Sequence, residues 1–394
     1  MSSSNLWRTT KIGEIGLNYA GIVHPKGCAL SLVGRDLVSL LDFEKPELES
    51  IFRTADRMQH STRKCGTQLK NYVLATIFFE PSTRTRLSFE TAMHRLGGSV
   101  IGFAEPSVSS VAKGETLADT IRMVESYADA VLLRHKIEGS AKFAAEIAEV
   151  PILNGGDGSQ HHPSQTLTDL YTIRKEFGKI DGCNLMLMGD LQHTRSASSL
   201  AYGLSHYKDI TLSLVSPENL RMRPEVTDHL NRNGVKFTEG EDSSEYIDEA
   251  NVIYVTRLQK ERFPDSKQAE AFKGSYVLTK QMLARAPKNA IVMHHLPRIE
   301  EIPIEVDYSP KARYFQQAAN GVPIRMAFLY SSLHRFKYRP VKVIQPDSKD
   351  SRKCSNVNCI SNQPREPIVS SMKETLSKGE RVLQCQYCGR YTKL

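Results

Sequence analysis

Apolar positions along the first 340 residues fall into short runs that alternate with amphipathic stretches. Residues 72–79, 99–103, 128–133 and 150–153 are short runs rich in Val, Ile, Leu and Phe bounded by polar turns, which predicts strands. Between them, 86–96, 116–127 and 141–148 carry helical spacing, and Gly97-Gly98 stops the first of these. Residues 162–177 predict one long helix. After Lys179-Ile-Asp-Gly182 the alternation restarts, with strands expected at 184–188, 210–215, 235–238, 251–255 and 289–293. Helices are expected at 197–207, 224–233 and 279–286, and an amphipathic helix over 323–336 closes the body. Strands separated by helices imply parallel sheets covered on both faces. The reading is therefore an α/β fold: two doubly wound parallel-sheet domains joined by a long helix, plus a small C-terminal β domain. The expected boundaries are an N-terminal extension of little pattern at 1–30, domains at 31–165 and 166–321, a closing helix at 322–337, a linker at 338–353 carrying Pro340 and Pro346, and a last module at 354–394.

That last module holds two close cysteine pairs, Cys354 with Cys359 and Cys385 with Cys388, while Cys28, Cys65 and Cys183 are scattered singly. Two knuckles bracketing a hairpin-length spacer suit a tetrahedral structural Zn²⁺, one per chain. Two disulfides or four free thiols are the other readings of the same spacing. Four thiolates would fill every zinc position, so the module is a scaffold or contact unit and no catalytic metal is expected.

Charge adds little to the body. The net charge is +8, and after Val341 ten basic residues face five acidic ones. A basic zinc module fits nucleic acid or an acidic partner; the spacer 360–384 lacks the interleaved aromatics of a base-stacking surface, so no nucleic acid is expected. No apolar run approaches the ~18–20 residues of a membrane span, and Met1-Ser-Ser-Ser-Asn-Leu-Trp-Arg lacks a leader's apolar stretch. With thiols committed to metal, the expectation is a cytoplasmic protein without a membrane partner.

Parallel sheets bind ligands at the carboxyl ends of their strands. The first such turn, Glu80-Pro-Ser-Thr-Arg-Thr-Arg86, runs into a helix: Ser82, Thr83 and Thr85 bring hydroxyls, the helix start brings free N–H groups, and Arg84 can grip an oxyanion in a fork. Later turns bring Lys113, Arg134, His162 with Gln165 three residues on, Arg195, Arg257 with Gln259, and His294-His-Leu-Pro297. The expectation is a cleft on which Arg84, Lys113, Arg134, Arg195 and Arg257 converge, holding a phosphate on one side and a dicarboxylate on the other. Without a triad, a catalytic carboxylate pair or a nucleotide fingerprint, the chemistry reads as group transfer by positioning and electrostatics. Ser109 lies in the polar loop before Lys113.

These residues carry a resemblance. Phe79-Glu-Pro-Ser-Thr-Arg-Thr-Arg-Leu-Ser-Phe-Glu90 and His162-Pro-Ser-Gln165 resemble the carbamoyl-phosphate motifs of the transcarbamoylases. Lys113-Gly-Glu-Thr-Leu-Ala-Asp119, Thr256-Arg-Leu-Gln-Lys-Glu-Arg262 and His294-His-Leu-Pro297 resemble the aspartate transcarbamoylase catalytic chain, and the tail resembles the zinc domain of that enzyme's regulatory chain. The resemblance covers residues 31–394 and implies a fusion of the two, with a carbamoyl-phosphate domain at 31–165 and an aspartate domain at 166–321. It implies transfer of a carbamoyl group from carbamoyl phosphate to L-aspartate, in pyrimidine synthesis. Ser82, Thr83, Arg84 and Thr85 would hold the phosphate; Thr85, Arg134 and His162 the oxyanion; Gln165 with the Leu296 and Pro297 backbone the carbamoyl amide. Arg195, Arg257 and Gln259 would hold aspartate, and Glu80 would pair with Arg195 and Arg262 on domain closure. Ser109 and Lys113 would reach in from a neighbouring subunit of a homotrimer, and whether the zinc module links trimers further stays open. An ornithine-specific member would carry His-Cys-Leu-Pro rather than His-His-Leu-Pro. Three departures from the family stand out: His295 replaces the usual proline, Ala112 replaces a lysine found in some members, and the regulatory nucleotide domain is absent between the body and Cys354.

Overall fold

The protein is described by a computed structural model covering residues 32–59, 66–260, 276–339 and 352–393. The extension at 1–30 and Arg262 lie outside the described residues, as does most of the expected linker; its first residues, Tyr338 and Arg339, are fastened to the body through Asp129 (3.3 Å) and Asp36 (2.9 Å).

The first sheet is built from β1 (Val73–Phe78), β2 (Ser99–Phe103), β3 (Ala130–His135) and β4 (Ile152–Asp157), all parallel, in the order β2-β1-β3-β4. Helices α2 (Thr83–Arg95), α3 (Leu117–Glu125) and α4 (Ser140–Ile147) make the crossovers. After β4 comes α5 (Pro163–Phe177), ended by Gly178 in the left-handed region. The second sheet comprises β5 (Asn184–Met188), β6 (Thr211–Val215), β7 (Lys236–Gly240), β8 (Val252–Val255) and β9 (Ile291–His294), again parallel, in the order β7-β6-β5-β8-β9. Its described helices are α6 (Arg195–Leu204), α7 (Pro224–Arg232) and α8 (Lys280–Arg285). In each sheet the chain winds outward on one side and then returns to the other side of its first strand. The switch points therefore fall between β1 and β3 and between β5 and β8, where doubly wound sheets open a crevice.

The closing helix differs from expectation. It is α9 (Tyr314–Leu333), which begins nine residues before Pro323 and runs through it. Burial explains the tolerance: Tyr314, Gln317, Ile324, Phe328 and Leu329 are buried, and the packing holds the helix across the hydrogen bond that proline cannot make. It packs against α5 and α2, and against a helix absent from the sequence reading, α1 (Lys45–Gln59). Leu48, Ile51, Phe52 and Ala55 give α1 a buried i, i+3, i+4, i+7 stripe, and Pro46 suits its first turn.

The C-terminal module is an antiparallel sheet of β10 (Met372–Ser377), β11 (Glu380–Cys385) and β12 (Tyr391–Lys393). Its Cys359, Ile360, Met372 and Leu383 share one hydrophobic cluster with Ala118, Ile121, Phe143 and Ile147 of α3 and α4. Gly139, at φ +84°, admits this approach: a Cβ there would lie 2.8 Å from the Tyr387 side chain.

Candidate active site

At the first switch point, β1 ends and α2 starts within five residues. Ser82 sits at the N-cap without its hydroxyl closing onto the helix, and Thr83, Arg84 and Thr85 form the first turn, whose free N–H groups favour an anion. Arg84 is exposed; its partial burial and the guanidinium of Arg257, from the other half of the chain, both lower its pKa. Thr85 is buried, its Oγ1 3.3 Å from His162 Nε2.

Two arginines from the two halves meet on one carboxylate. Glu80 Oε2 accepts from Arg195 Nη2 at 2.7 Å and lies 3.0 Å from Arg134 Nη2. Arg134 also donates to Gly155 O (3.1 Å) and Arg195 to Gly158 O (2.8 Å). Gly156, at φ +114°, leaves room between them: a Cβ would lie 3.0 Å from the Arg195 guanidinium and 3.2 Å from Arg134. Arg195 is the first residue of α6 rather than part of the preceding loop. Partner oxygens on Gly155, Gly158 and Glu80 hold these two positive groups at a fixed spacing, preorganised for negative charge.

His162 precedes Pro163, the first residue of α5, and donates its backbone N–H to Ser199 Oγ at 3.0 Å. Burial, then Arg195 and Arg134, push its imidazole well below the ordinary value, so it is neutral at neutral pH. One turn on, Gln165 Nε2 donates to Asp169 Oδ1 at 2.8 Å. Asp169 also accepts from Gln317 Nε2 (2.6 Å) and Tyr254 Oη (3.1 Å), and Gln317 Oε1 accepts from His294 N (2.9 Å). Because a backbone N–H must donate, Gln317 has only its amide nitrogen to give Asp169. This chain ties Gln165 to the segment after β9. Asp169 and Gln317 were missed by sequence reasoning: the i, i+4 spacing of Gln165 and Asp169 was a readable signal, whereas Gln317 comes from a distant helix.

In the second half, Gln259 is buried and donates its backbone N–H to Asp190 Oδ2 at 3.1 Å, while Arg257 donates to Leu258 O at 3.0 Å. Leu296 has φ +54° and donates its N–H to His294 Nδ1 at 2.8 Å; Pro297 follows through a cis bond. His295 stacks on His294, with centroids 5.1 Å apart and planes 6° off parallel. Burial, with His294, Arg257, Arg84 and Arg195 around it, keeps its imidazole well below the ordinary range.

Arg84, Arg134, Arg195 and Arg257 are thus drawn together. Lys113 belongs to a different edge of the first sheet. Its loop, the turn Ser110–Lys113, lies beside β2 at the sheet edge, where β1 separates it from the β1/β3 switch point. Within this chain Lys113 therefore stands apart from the four arginines.

The four cysteines come together as expected, with all Sγ atoms within 4.8 Å of one another. Cys354 and Cys388 are 3.5 Å apart and Cys359 and Cys385 3.7 Å apart, and all four are free thiols. A disulfide needs about 2.05 Å; the edges of a Zn–S tetrahedron with ~2.3 Å bonds are about 3.8 Å. The thiol set fits a metal and rules out the disulfide reading.

A doubly wound pair of sheets with an arginine-lined crevice is the architecture of a carbamoyltransferase, and the comparisons agree. Residues 35–175 match the carbamoyl-P binding domain of aspartate/ornithine carbamoyltransferases, 181–332 match their Asp/Orn binding domain, and 349–393 match the metal binding domain of the aspartate carbamoyltransferase regulatory chain. The chain is 52% identical over 298 residues to the aspartate carbamoyltransferase catalytic subunit of Thermococcus gammatolerans, covering 75% of this chain and 96% of that one. Among solved structures it resembles the M. jannaschii catalytic subunit (TM-score 0.69, 47% identity, 75% and 97% coverage). It also resembles the Trypanosoma cruzi enzyme bound to carbamoyl phosphate and aspartate (TM-score 0.73, 36% identity, 77% and 98% coverage). The chain belongs to the aspartate carbamoyltransferase family. Its reaction is carbamoyl transfer from carbamoyl phosphate to L-aspartate, giving N-carbamoyl-L-aspartate and phosphate in pyrimidine biosynthesis.

Proposed function

We propose that the crevice divides its two substrates between the two halves of the chain. Ser82, Thr83, Arg84 and Thr85 bind the phosphate of carbamoyl phosphate, with Arg134 shared between phosphate and carbonyl. Gln165 and the Leu296 and Pro297 backbone hold the carbamoyl amide: with its Nε2 committed to Asp169, Gln165 presents Oε1 to the amide N–H groups. Arg195, Arg257 and Gln259 take the aspartate carboxylates. The aspartate amine attacks the carbamoyl carbon, forming the C–N bond while charge gathers on the carbonyl oxygen. Thr85, Arg134 and His162 stabilise that oxyanion; a neutral His162 acts as a hydrogen-bond donor here. The C–O bond to phosphate then breaks, and the amine proton leaves with the phosphate. Glu80 and Arg262 serve domain closure, and incoming anions compete with Glu80 for Arg134 and Arg195. The observation that carries the division is the meeting of Arg134 and Arg195, one from each half, on Glu80.

Lys113 and Ser109 complete the site of a neighbouring subunit, in a homotrimer. The edge strand β2 supports this: Ile101, Met123 and Tyr127 are exposed beside it, around a groove of about 700 Å³ that also exposes Val108, whereas strands of parallel sheets are ordinarily covered. The four cysteines hold one structural Zn²⁺ per chain, which cross-links the two knuckles and supplies no chemistry to the reaction. The chain acts in the cytoplasm as a fusion of catalytic body and regulatory-type module, without nucleic acid; no described helix is long and apolar enough to cross a membrane.

Steady-state kinetics of Arg257→Ala and Arg84→Ala test the division. Arg257→Ala is expected to raise the KM for aspartate at least about tenfold with carbamoyl phosphate binding retained, and Arg84→Ala to lose nearly all turnover. Collapse of carbamoyl phosphate binding in Arg257→Ala, with normal aspartate kinetics, would refute it.

A further inference from the structure

The C-terminal module touches the body at a point that its metal does not explain. Glu366, in the stretch between the knuckles, accepts hydrogen bonds from two successive backbone N–H groups at the start of α3: Leu117 N to Oε1 at 2.6 Å and Ala118 N to Oε2 at 3.2 Å. The next N–H, of Asp119, is taken by the α3 cap residue, Thr116 Oγ1, at 3.1 Å. The first three free N–H groups of this helix are thus satisfied, two of them by a residue about 250 positions away in sequence. A carboxylate is also the favoured charge at this end of a helix dipole. The neighbouring Arg365 lies against Gly114, where an added Cβ would be 3.1 Å from its guanidinium. Arg365 itself has φ +69°, a conformation that a non-glycine residue holds only when its surroundings fix it. Glu366 therefore holds the Leu117 end of the segment Gly114–Leu117 and Arg365 lies beside its Gly114 end, and that segment directly follows Ser110–Lys113.

We infer that Glu366 is a positioning residue for the catalytic loop: the metal module clamps the root of the Ser110–Lys113 turn and so fixes where Lys113 is presented. The inference rests on the reading that Lys113 serves an active site. It gives the fused module a role within its own chain. A loop rooted on a clamped helix loses less conformational freedom when it meets the anionic site than one rooted on a fraying helix end. Holding Lys113 in place contributes when aspartate binds and when charge develops, so the clamp is read out in turnover as well as in loop mobility.

The test uses the zinc-loaded full chain and the variant Glu366→Ala, with Lys113→Ala as the control for the reading. Trypsin cleavage after Lys113 is expected to accelerate about tenfold in Glu366→Ala, the scale of a lost helix cap. kcat/KM for aspartate should fall by a similar factor, with zinc content and thermal midpoint of the body unchanged. Glu366→Gln keeps one acceptor oxygen and should recover part of both effects. If Lys113→Ala is inactive while Glu366→Ala cleaves and turns over like the parent, the clamp is wrong and the loop reading stands. Faster cleavage with unaltered turnover would likewise overturn the catalytic role of the clamp. If Lys113→Ala keeps full activity, the loop reading itself falls.

Discussion

At the scale of single residues, the site works by holding charge states that water would not favour. Asp169 is the clearest case: burial raises its carboxyl to about 7, against the lowering effect of Gln317, Gln165 and Tyr254. The folded protein therefore binds this proton across a window where the unfolded chain, with an ordinary value of 3.8, has released it. The associated stability is present at low pH and is lost as pH rises from about 4 through 7. Asparagine has the neutral carboxyl's shape: its Oδ1 accepts from Gln165 and Gln317, and its Nδ2, like the protonated oxygen, donates to Tyr254 Oη, which then turns from donor to acceptor. Asp169→Asn is thus expected to gain stability relative to the parent as pH rises over that window, by up to roughly 4 kcal/mol. Thermal melts of the two proteins from pH 4 to 8 check this; a constant gap between them would contradict the assignment. His295 stays neutral among arginines and adds no titration of its own near neutral pH. Arg84, Arg134, His162 and Arg257 were legible because each stands at or just past the carboxyl end of a recognisable strand. Asp169's role was hidden, because it is set by partners drawn from α5, β8 and α9.

At the scale of elements, the strand–helix alternation located the nine described body strands, most clearly the inner ones such as β1, β3 and β8, which are short buried apolar runs. Helix boundaries were less legible where packing overrode local signals, as at Pro323 within α9. The metal module is the element whose existence depends least on its own core. Cys359, Cys385, Cys388, Ile360 and Leu383 are buried against α3 and α4, yet β10 is largely exposed. Removing the metal with a chelator and a thiol reagent is expected to make residues beyond Cys354 protease-sensitive while the body remains folded. Metal analysis of the untreated protein should find one zinc per chain. An unchanged digestion pattern after metal removal would contradict a metal-dependent fold.

At the scale of the whole molecule, the module is integrated into the body it follows. Glu138 is buried; burial alone would raise its carboxyl, but Arg390, Arg223 and the Ser159 N–H together hold it low. Glu138 accepts from Arg390 Nε (3.2 Å) and Asn356 Nδ2 (2.8 Å), and Glu225 of α7 accepts from Tyr391 N (3.0 Å). The module therefore touches both halves of the catalytic body. The sequence pointed to this module through its cysteines, but its seat on α3 and α4 depends on contacts across some 250 residues that no local pattern carries. What one chain leaves incomplete is the position of Lys113, set at the β2 edge away from the four clustered arginines.

Co-expressing Lys113→Ala with Arg257→Ala chains decides whether the active sites are shared between copies. With aspartate well below the parent's KM, each variant alone is expected to retain at most about a tenth of the parent's activity. In randomly mixed trimers, a site with its own Arg257 and a neighbour's Lys113 arises about one time in four, so activity should return to about a quarter of the parent. If both residues act within one chain, mixing restores nothing, and the account of a site completed by a second copy is wrong.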